Sequence, residues 1–211
     1  MKDKSEYIYV VLVKALTGLG KFSRTFCKYE YTHIAVCMNE EMNDFITFSR
    51  KRHYSPFDAG FMHETLDCYA FGEKKRVKLK IFRIPVLKKN RITIENYIQK
   101  IESDPKYIFN LYSMITMPFL HGLKIYKAHN CMSFVSKIIS LSGQVSMDRK
   151  YYQYSIKDLD HLLHEYIWKE GYFIKRKTES RNYMNRVSVT ENMKLFFRLN
   201  SQLLSRMIKK E

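Results

Sequence analysis

Residues 130–143 read Asn130-Cys-Met-Ser-Phe-Val-Ser-Lys-Ile-Ile-Ser-Leu-Ser-Gly143 and have the clearest helical pattern in the chain. Four of their apolar side chains fall on one face at helical spacing: Phe134, Val135, Ile138 and Ile139. Asparagine is a favourable residue just before a helix, and glycine is a favourable residue just after one. The pattern therefore predicts a helix over Cys131–Ser142 that begins after Asn130 and ends at Gly143.

Cys131 is a candidate nucleophile because this pattern places it in the first turn of the helix. The partial positive charge of a helix N-terminus lowers the pKa of a thiol placed there, and first-turn amides can stabilise an oxyanion. A cysteine nucleophile also needs an imidazole that takes and returns a proton. His33, at the start of a run with strand character, is the first candidate, and His129 is the alternative. A buried, inert cysteine and a structural histidine are the common outcome for such residues taken singly.

A third polar group usually orients the imidazole of such a pair. Thr47 and Ser49 lie on one face of the strand predicted next to that of His33, so either is a candidate. Glu64 is a further candidate, although we expect it to be an exposed carboxylate.

The rest of the chain predicts a mixture of strands and helices. Apolar or alternating runs predict strands at residues 7–13, 32–38, 45–49 and 77–84, with a loop at 51–60. Helical spacing predicts helices at 21–29, 94–101 and 158–168, and at 107–120 as far as Pro118. Together they predict an α+β fold in which a small, mainly antiparallel sheet packs against the Cys131 helix.

The order of the short motifs resembles that of the permuted papain-like hydrolases of the NlpC superfamily, particularly the YiiX-like bacterial group. The segments that carry the resemblance are Leu16-Thr17-Gly18, Tyr31-Thr32-His33, Phe48-Ser49-Arg50-Lys51, Pro56-Phe57, Gly60-Phe61 and Asn130-Cys131-Met132-Ser133-Phe134-Val135. The histidine precedes the cysteine, the reverse of the order in papain, as circular permutation of that fold would give. Many relatives have a small or polar residue where this chain has Met132.

The resemblance implies a circularly permuted papain-like (NlpC-type) fold over residues 1–178 and a catalytic role for Cys131 and His33. It implies a cysteine hydrolase or amidase, of the thiol-protease kind, acting on a peptide, amide or lipid-linked acyl substrate. Hydrolysis and acyl transfer to another acceptor both remain open. No metal or organic cofactor is implied.

The chain is strongly basic, with 37 Lys and Arg against 21 Asp and Glu and a formal net charge of +16. Such a charge favours an anionic partner, although a Lys-rich composition alone gives the same value. No Arg-rich arm, zinc-finger spacing or aromatic RNA-binding motif is present in the sequence, which disfavours nucleic acid. An anionic membrane surface or an anionic substrate is the better expectation.

Residues 179–211 are predicted to form a basic, amphipathic helical extension. Ser188 and Glu191 have capping-box spacing. An apolar stripe follows: Val189, Met193, Phe196, Phe197, Leu203, Leu204, Met207 and Ile208. We expect this stripe to dock on the domain or on a second copy of the chain, with a membrane surface as the alternative. A catalytically inactive papain-like binding module, engaging membrane or nucleic acid through its basic surface, is accordingly the alternative function.

The cysteines and the N-terminal residues indicate the compartment. Cys27, Cys37 and Cys68 show neither C-x-x-C nor metal-ligand spacing, so we interpret them as structural thiols in a reducing environment. The apolar run at residues 7–13 is too short to span a bilayer, and no small-residue cleavage site follows it. With 211 residues, we expect one cytoplasmic domain with a single buried core.

Overall fold

A computed structural model describes residues 6–15, 29–70, 76–174 and 182–208. Within these ranges the chain is α+β, with helices packed on a mainly antiparallel sheet, as the sequence predicts. The helix predicted at residues 21–29, the Leu16-Thr17-Gly18 motif, Cys27 and the predicted domain boundary after residue 178 lie outside the described residues, apart from Tyr29.

The described residues form eight strands in two sheets. They are β1 (Glu6–Val13), β2 (His33–Cys37), β3 (Phe45–Arg52), β4 (Ser55–Glu64), β5 (Arg76–Val86), β6 (Ile108–Phe109), β7 (Ala128–His129) and β8 (Ile167–Ile174). The main sheet has the order β4-β3-β2-β1-β5-β8, and every neighbouring pair in it is antiparallel. The short strands β6 and β7 pair in parallel beside it.

The same residues form six α-helices and three short 3₁₀ turns. The helices are α1 (Leu66–Tyr69), α2 (Lys88–Ser103), α3 (Leu111–Leu120), α4 (Cys131–Ser142), α5 (Ile156–Leu162) and α6 (Val189–Met207). The 3₁₀ turns are Tyr151–Gln153, His164–Tyr166 and Asn182–Met184. Across the described residues, no helix combines the length and the apolar character needed to cross a bilayer.

Strand β1 occupies an interior position in the sheet and is buried on both of its faces. Ile8, Val10 and Leu12 belong to the core cluster that also contains the inner faces of α2 and α4. Tyr9 and Val11 point the other way, into a second cluster that includes α1. Because successive strand residues alternate between faces, the unbroken apolar run of residues 7–13 is what a strand covered on both sides requires.

Helix α4 has the bounds and caps that the sequence predicts. The Asn130 side chain accepts a hydrogen bond from the Ser133 amide at 2.9 Å, and the Ser133 hydroxyl accepts one from the Asn130 amide at 3.0 Å. Gly143 ends the helix with a φ of 68°, a conformation that favours glycine. The predicted apolar face is fully buried against the sheet: Phe134, Val135, Ile138 and Ile139.

Two sequence predictions are wrong about the outer strands. The loop expected at residues 51–60 is a hairpin, in which β3 continues to Arg52 and β4 begins at Ser55. Pro56 fits there because β4 is an edge strand, where a missing amide hydrogen bond costs little. The helix expected at residues 158–168 ends at Leu162, and Ile167 opens β8, the other edge strand.

Helix α6 packs on the domain next to β4 and α3. The Ser188 hydroxyl caps it by accepting from the Glu191 amide at 3.1 Å. Leu199 and Leu203 are buried in the main core cluster. The Ser55 hydroxyl also donates to the Asn192 side chain at 2.7 Å. The helix is therefore anchored by core burial and by polar contacts to the sheet.

Candidate functional site

Cys131 is the first residue of α4 and lies two residues after the end of the short strand β7. The parallel pairing of β6 with β7 lays Asn110, the cap of α3, beside Asn130, the cap of α4. The Asn110 amide donates to the His129 carbonyl at 2.8 Å, which ties the two helix starts together. Only 8% of Cys131 is exposed. The thiol thus lies at a helix N-terminus whose backbone is held by the Asn130 cap and by the hydrogen bond between Asn110 and His129.

His33 is the first residue of β2, where it pairs with Val13 of the buried strand β1. The Cys131 side chain is near enough to the His33 imidazole to raise the pKa of that ring. The Nε2 atom of the same ring lies 2.7 Å from Oε2 of Glu64. The imidazole therefore connects the thiol of α4 to a carboxylate of β4.

Glu64 ends β4 and is 2% exposed, so the expectation of an exposed carboxylate is wrong. The Tyr69 hydroxyl donates to its Oε2 atom at 2.6 Å, and the Ser49 side chain is a further hydrogen-bonding partner. Tyr69 is itself 2% exposed, and its ring centroid lies 5.7 Å from that of His33. A buried carboxylate is stable only when it is paired and hydrogen-bonded, and these contacts supply both conditions.

The electrostatic interaction between His33 and Glu64 favours the charged form of each, imidazolium and carboxylate. Burial acts to lower the pKa of His33, but the Glu64 charge, the neighbouring Cys131 side chain and the hydrogen bond that the ring donates to Glu64 outweigh it and raise that pKa to about 10. Burial acts to raise the pKa of Glu64, yet the His33 charge and hydrogen bonds from His33, Ser49 and Tyr69 hold it below its ordinary value. Each member of the pair stabilises the charged form of the other.

Thr47 and Ser49, the two orienting groups predicted from the sequence, do not occupy that position. The Thr47 side chain is fully buried, and its hydroxyl donates to the Ile34 carbonyl at 2.8 Å. Ser49 contacts Glu64, one step removed from the imidazole. Glu64 is the group that bonds the ring, and residues 60–64, Gly-Phe-Met-His-Glu, carry no alternation that would have predicted the strand that presents it.

His129, the alternative base, lies in an aromatic cluster of its own. Its ring lies 5.4 Å from Phe48 and 6.0 Å from Tyr107 between centroids, and the Tyr97 hydroxyl lies 3.2 Å from its Nε2 atom. Burial, helped by the charge of Lys137, lowers the pKa of His129 to about 4. His129 is therefore a neutral core histidine at physiological pH, and His33 is the imidazole that partners Cys131.

The other described cysteines, Cys37 and Cys68, lie within the core. The Cys37 thiol donates to the Asn39 carbonyl at 3.2 Å, and burial raises its pKa. Cys68 is 3% exposed, in the cluster on the α1 side of the sheet. Among the described residues, no group of three or more His, Cys, Asp or Glu side chains is arranged to hold a metal ion.

Replacing Tyr69 with phenylalanine is expected to destabilise the protein by about 1.5–3 kcal/mol at pH 7, because a buried charged acceptor loses a donor. Tyr69 lowers the pKa of Glu64, so its contribution is present above the ordinary value of 4.5 and is lost as the pH falls below it. Urea unfolding of wild type and Tyr69→Phe at pH 7 and pH 4 measures both effects.

The matched control is Tyr154→Phe. Tyr154 is buried and donates to Asp148 at the same 2.6 Å, but 77% of the Asp148 side chain is exposed to water. We expect this control to cost less than Tyr69→Phe, since water replaces the donor lost by Asp148, although the Arg149 amide also loses the Tyr154 hydroxyl as its acceptor at 2.9 Å. Equal losses of unfolding free energy in Tyr69→Phe and Tyr154→Phe would contradict the claim that the Tyr69–Glu64 hydrogen bond is worth more because its acceptor is buried.

Comparison with known proteins finds no relative of this chain. No protein-family model, no curated protein and no solved structure matches it. The chemistry of the site must therefore be inferred from its own geometry and from the motif resemblance of the sequence.

Proposed function

We propose that this protein is a cysteine hydrolase on a permuted papain-like (NlpC-type) fold. Cys131 is the nucleophile, His33 the general base and acid, and Glu64 the group that orients the imidazole. The observation that carries the proposal is that His33, on β2, bonds the buried Glu64 carboxylate of β4 at 2.7 Å while the Cys131 side chain of α4 lies near enough to raise the pKa of the same ring. A nucleophile, a base and an orienting group in hydrogen-bond sequence are the general requirement of covalent catalysis.

In the proposed mechanism the two ring nitrogens of His33 have different roles. Nε2 is engaged by Glu64, which leaves Nδ1 to exchange a proton with the thiol. The proton moves from the Cys131 sulfur to His33, and the resulting imidazolium is stabilised by the Glu64 carboxylate. The raised pKa of His33 favours this charge-separated state.

In the first half-reaction the thiolate sulfur forms a bond to the substrate carbonyl carbon, and the carbonyl electron pair moves to oxygen. The Cys131 backbone amide, at the start of α4, donates to this oxyanion. The tetrahedral intermediate then expels its amine, alcohol or thiol leaving group, which takes the proton from His33. In the second half-reaction water, deprotonated by His33, attacks the thioester and releases the carboxylic acid and the Cys131 thiol.

Peptides and other amides are the first substrates to screen, because the family that the motifs resemble is mostly hydrolytic. Esters, thioesters and lipid-linked acyl groups undergo the same two half-reactions. An acceptor other than water in the second half-reaction would make the protein an acyltransferase. The proposed chemistry requires no metal or organic cofactor.

The test is the rate of iodoacetamide alkylation at each cysteine from pH 5 to pH 9, read by mass spectrometry in wild type and His33→Ala. At pH 6.5 an ordinary thiol with a pKa near 8.5 is about 1% thiolate, so an activated Cys131 should react up to about 100-fold faster than such a thiol. We expect Cys131 alone to react below pH 8 and to lose that reactivity in His33→Ala. Cys37 and Cys68 are internal controls in the same sample.

An unreactive Cys131 in both proteins would overturn the proposed hydrolase. The second candidate function, a catalytically inactive binding module on the same fold, would then be the better account. That candidate draws its support from the basic composition and from the outward face of α6.

A further inference from the structure

Helix α6 carries more apolar surface than the domain covers. Phe196, Leu199 and Leu203 face the domain, where Phe196 packs edge-on to Phe57 with ring centroids 4.9 Å apart. A second row, at helical spacing, is exposed: Val189 81%, Met193 47%, Phe197 63%, Leu204 56% and Met207 50%. This outer row faces water along the whole length of the helix.

Helix α3 contributes a second exposed apolar surface. Its ten residues include no charged side chain. Four of them are large, apolar and exposed: Met114 41%, Ile115 59%, Phe119 70% and Leu120 62%. Tyr112, Ile115 and Phe119 share one face of α3, since they are three and seven residues apart.

A hydrogen bond joins the two surfaces. The Tyr112 hydroxyl, on that face of α3, donates to the Asn200 side chain of α6 at 2.8 Å. Asn200 lies on the outer row of α6 between Phe197 and Leu204, at spacings of three and four residues. Ile115, Phe119, Phe197 and Leu204 therefore flank one contact, and we call these four residues the apolar platform. Monomeric soluble proteins seldom expose such a cluster of large apolar side chains without a function for it.

The charges beside the platform are positive. Lys194 and Arg198 are exposed on α6, on either side of Phe197 along the chain. The acidic residue of the first turn, Glu191, is paired with Arg52 at 2.8 Å. Lys209 and Lys210 follow the described residues in the sequence, and the whole chain has a formal charge of +16. A second copy of the chain would bring like charges together, whereas an anionic surface complements them.

We propose that the apolar platform docks the protein on the surface of an anionic lipid bilayer. The platform side chains enter the boundary between headgroups and acyl chains, while Lys194 and Arg198 contact lipid phosphates and carboxylates. Exposed aromatic and aliphatic residues bordered by Lys and Arg are the composition of helices that lie in this interface. The docking is independent of the chemistry at Cys131, so Cys131→Ala should bind vesicles as the wild type does.

The experiment is co-sedimentation of the full chain with vesicles of phosphatidylcholine alone or of phosphatidylcholine and phosphatidylserine in a 3:1 ratio. We expect binding to the mixed vesicles, weakened by salt, and little binding to the neutral ones. The double variant Phe119→Asp/Phe197→Asp should lose at least tenfold in affinity. Ile92→Asp/Tyr172→Asp is the matched control, because it adds the same charge at residues 47% and 62% exposed on α2 and β8.

A second measurement does not depend on the aspartate variants folding. Phe197→Trp places an indole in the platform, and brominated acyl chains should quench its fluorescence, while Trp168 of β8, the chain's one native tryptophan, should be unaffected. Equal loss of binding in the two aspartate variants, or an unquenched Trp at position 197, would overturn the proposal. So would a platform-dependent dimer in sedimentation velocity with no vesicle binding, which would assign the surface to a second copy.

Discussion

Glu64→Gln is expected to destabilise the protein by about 3 kcal/mol near pH 6, because it removes the charge of a buried, hydrogen-bonded partner of His33. Glutamine preserves the shape of the side chain, so the loss reports the charge and its hydrogen bonds rather than a cavity. His33 would remain largely enclosed without a counter-ion and would favour its neutral form. The Tyr69 hydroxyl would donate to a weaker, neutral acceptor.

The pH dependence of this loss follows from the two shifted pKa values. His33 has its pKa raised from 6.5 to about 10, so its contribution is full below pH 6.5 and is lost as the pH rises towards 10. Glu64 has its pKa lowered from 4.5, so its contribution is present above that value and is lost as the pH falls below it. The difference in the free energy of unfolding between wild type and Glu64→Gln should therefore be largest between about pH 4.5 and 6.5 and smaller at pH 9.

Urea unfolding at pH 4, 6 and 9 measures that difference directly. Asp104→Asn is the control, since it removes the carboxylate of a solvent-screened pair with Lys127 at 2.6 Å and should cost much less than Glu64→Gln at each pH. A loss for Glu64→Gln that is constant across the three pH values would show that the buried pair is not ionised as described.

The sequence was sufficient to predict the elements whose local signals and burial agree. Helix α4 has a cap, an apolar face and a terminating glycine, and all three point to the same bounds. Strand β1 is an unbroken apolar run, and it is buried on both faces. Cys131 and His33 were identifiable as candidates because their roles depend on local features, a helix start and a strand start.

Glu64 was harder to assign because its role depends on contacts between distant segments. Nothing within a few residues of it shows that Tyr69 and His33 would enclose its side chain. Pro56 and Gly60 favoured a loop where β4 forms, because an edge strand tolerates residues that an interior strand excludes. Thr47 and Ser49 are predicted from the sequence because they share a face of the strand next to that of His33, but the Thr47 hydroxyl is bonded to the Ile34 carbonyl.

Phe134→Ala is expected to destabilise the protein by about 3–5 kcal/mol, the cost of emptying a fully buried aromatic site. The Phe134 ring lies 5.4 Å from Phe48, 5.9 Å from Phe61 and 6.2 Å from Tyr97, between centroids. These three rings come from β3, β4 and α2, so Phe134 fixes the first turn of α4 against all three elements. Because Cys131 lies one turn earlier on the same helix, the variant should also alkylate more slowly at Cys131 at pH 6.5.

Phe197→Ala is the matched control, since it makes the same change at a residue 63% exposed on α6 and should alter stability by about 0.5 kcal/mol or less. Urea midpoints of the two variants at pH 7 give the comparison. A loss of under 1 kcal/mol for Phe134→Ala would contradict the packing of α4 on the sheet. Phe134→Ala could instead be strongly destabilised but folded, with normal alkylation at Cys131. That result would show that β7 and the Asn130 cap position the thiol without the Phe134 ring.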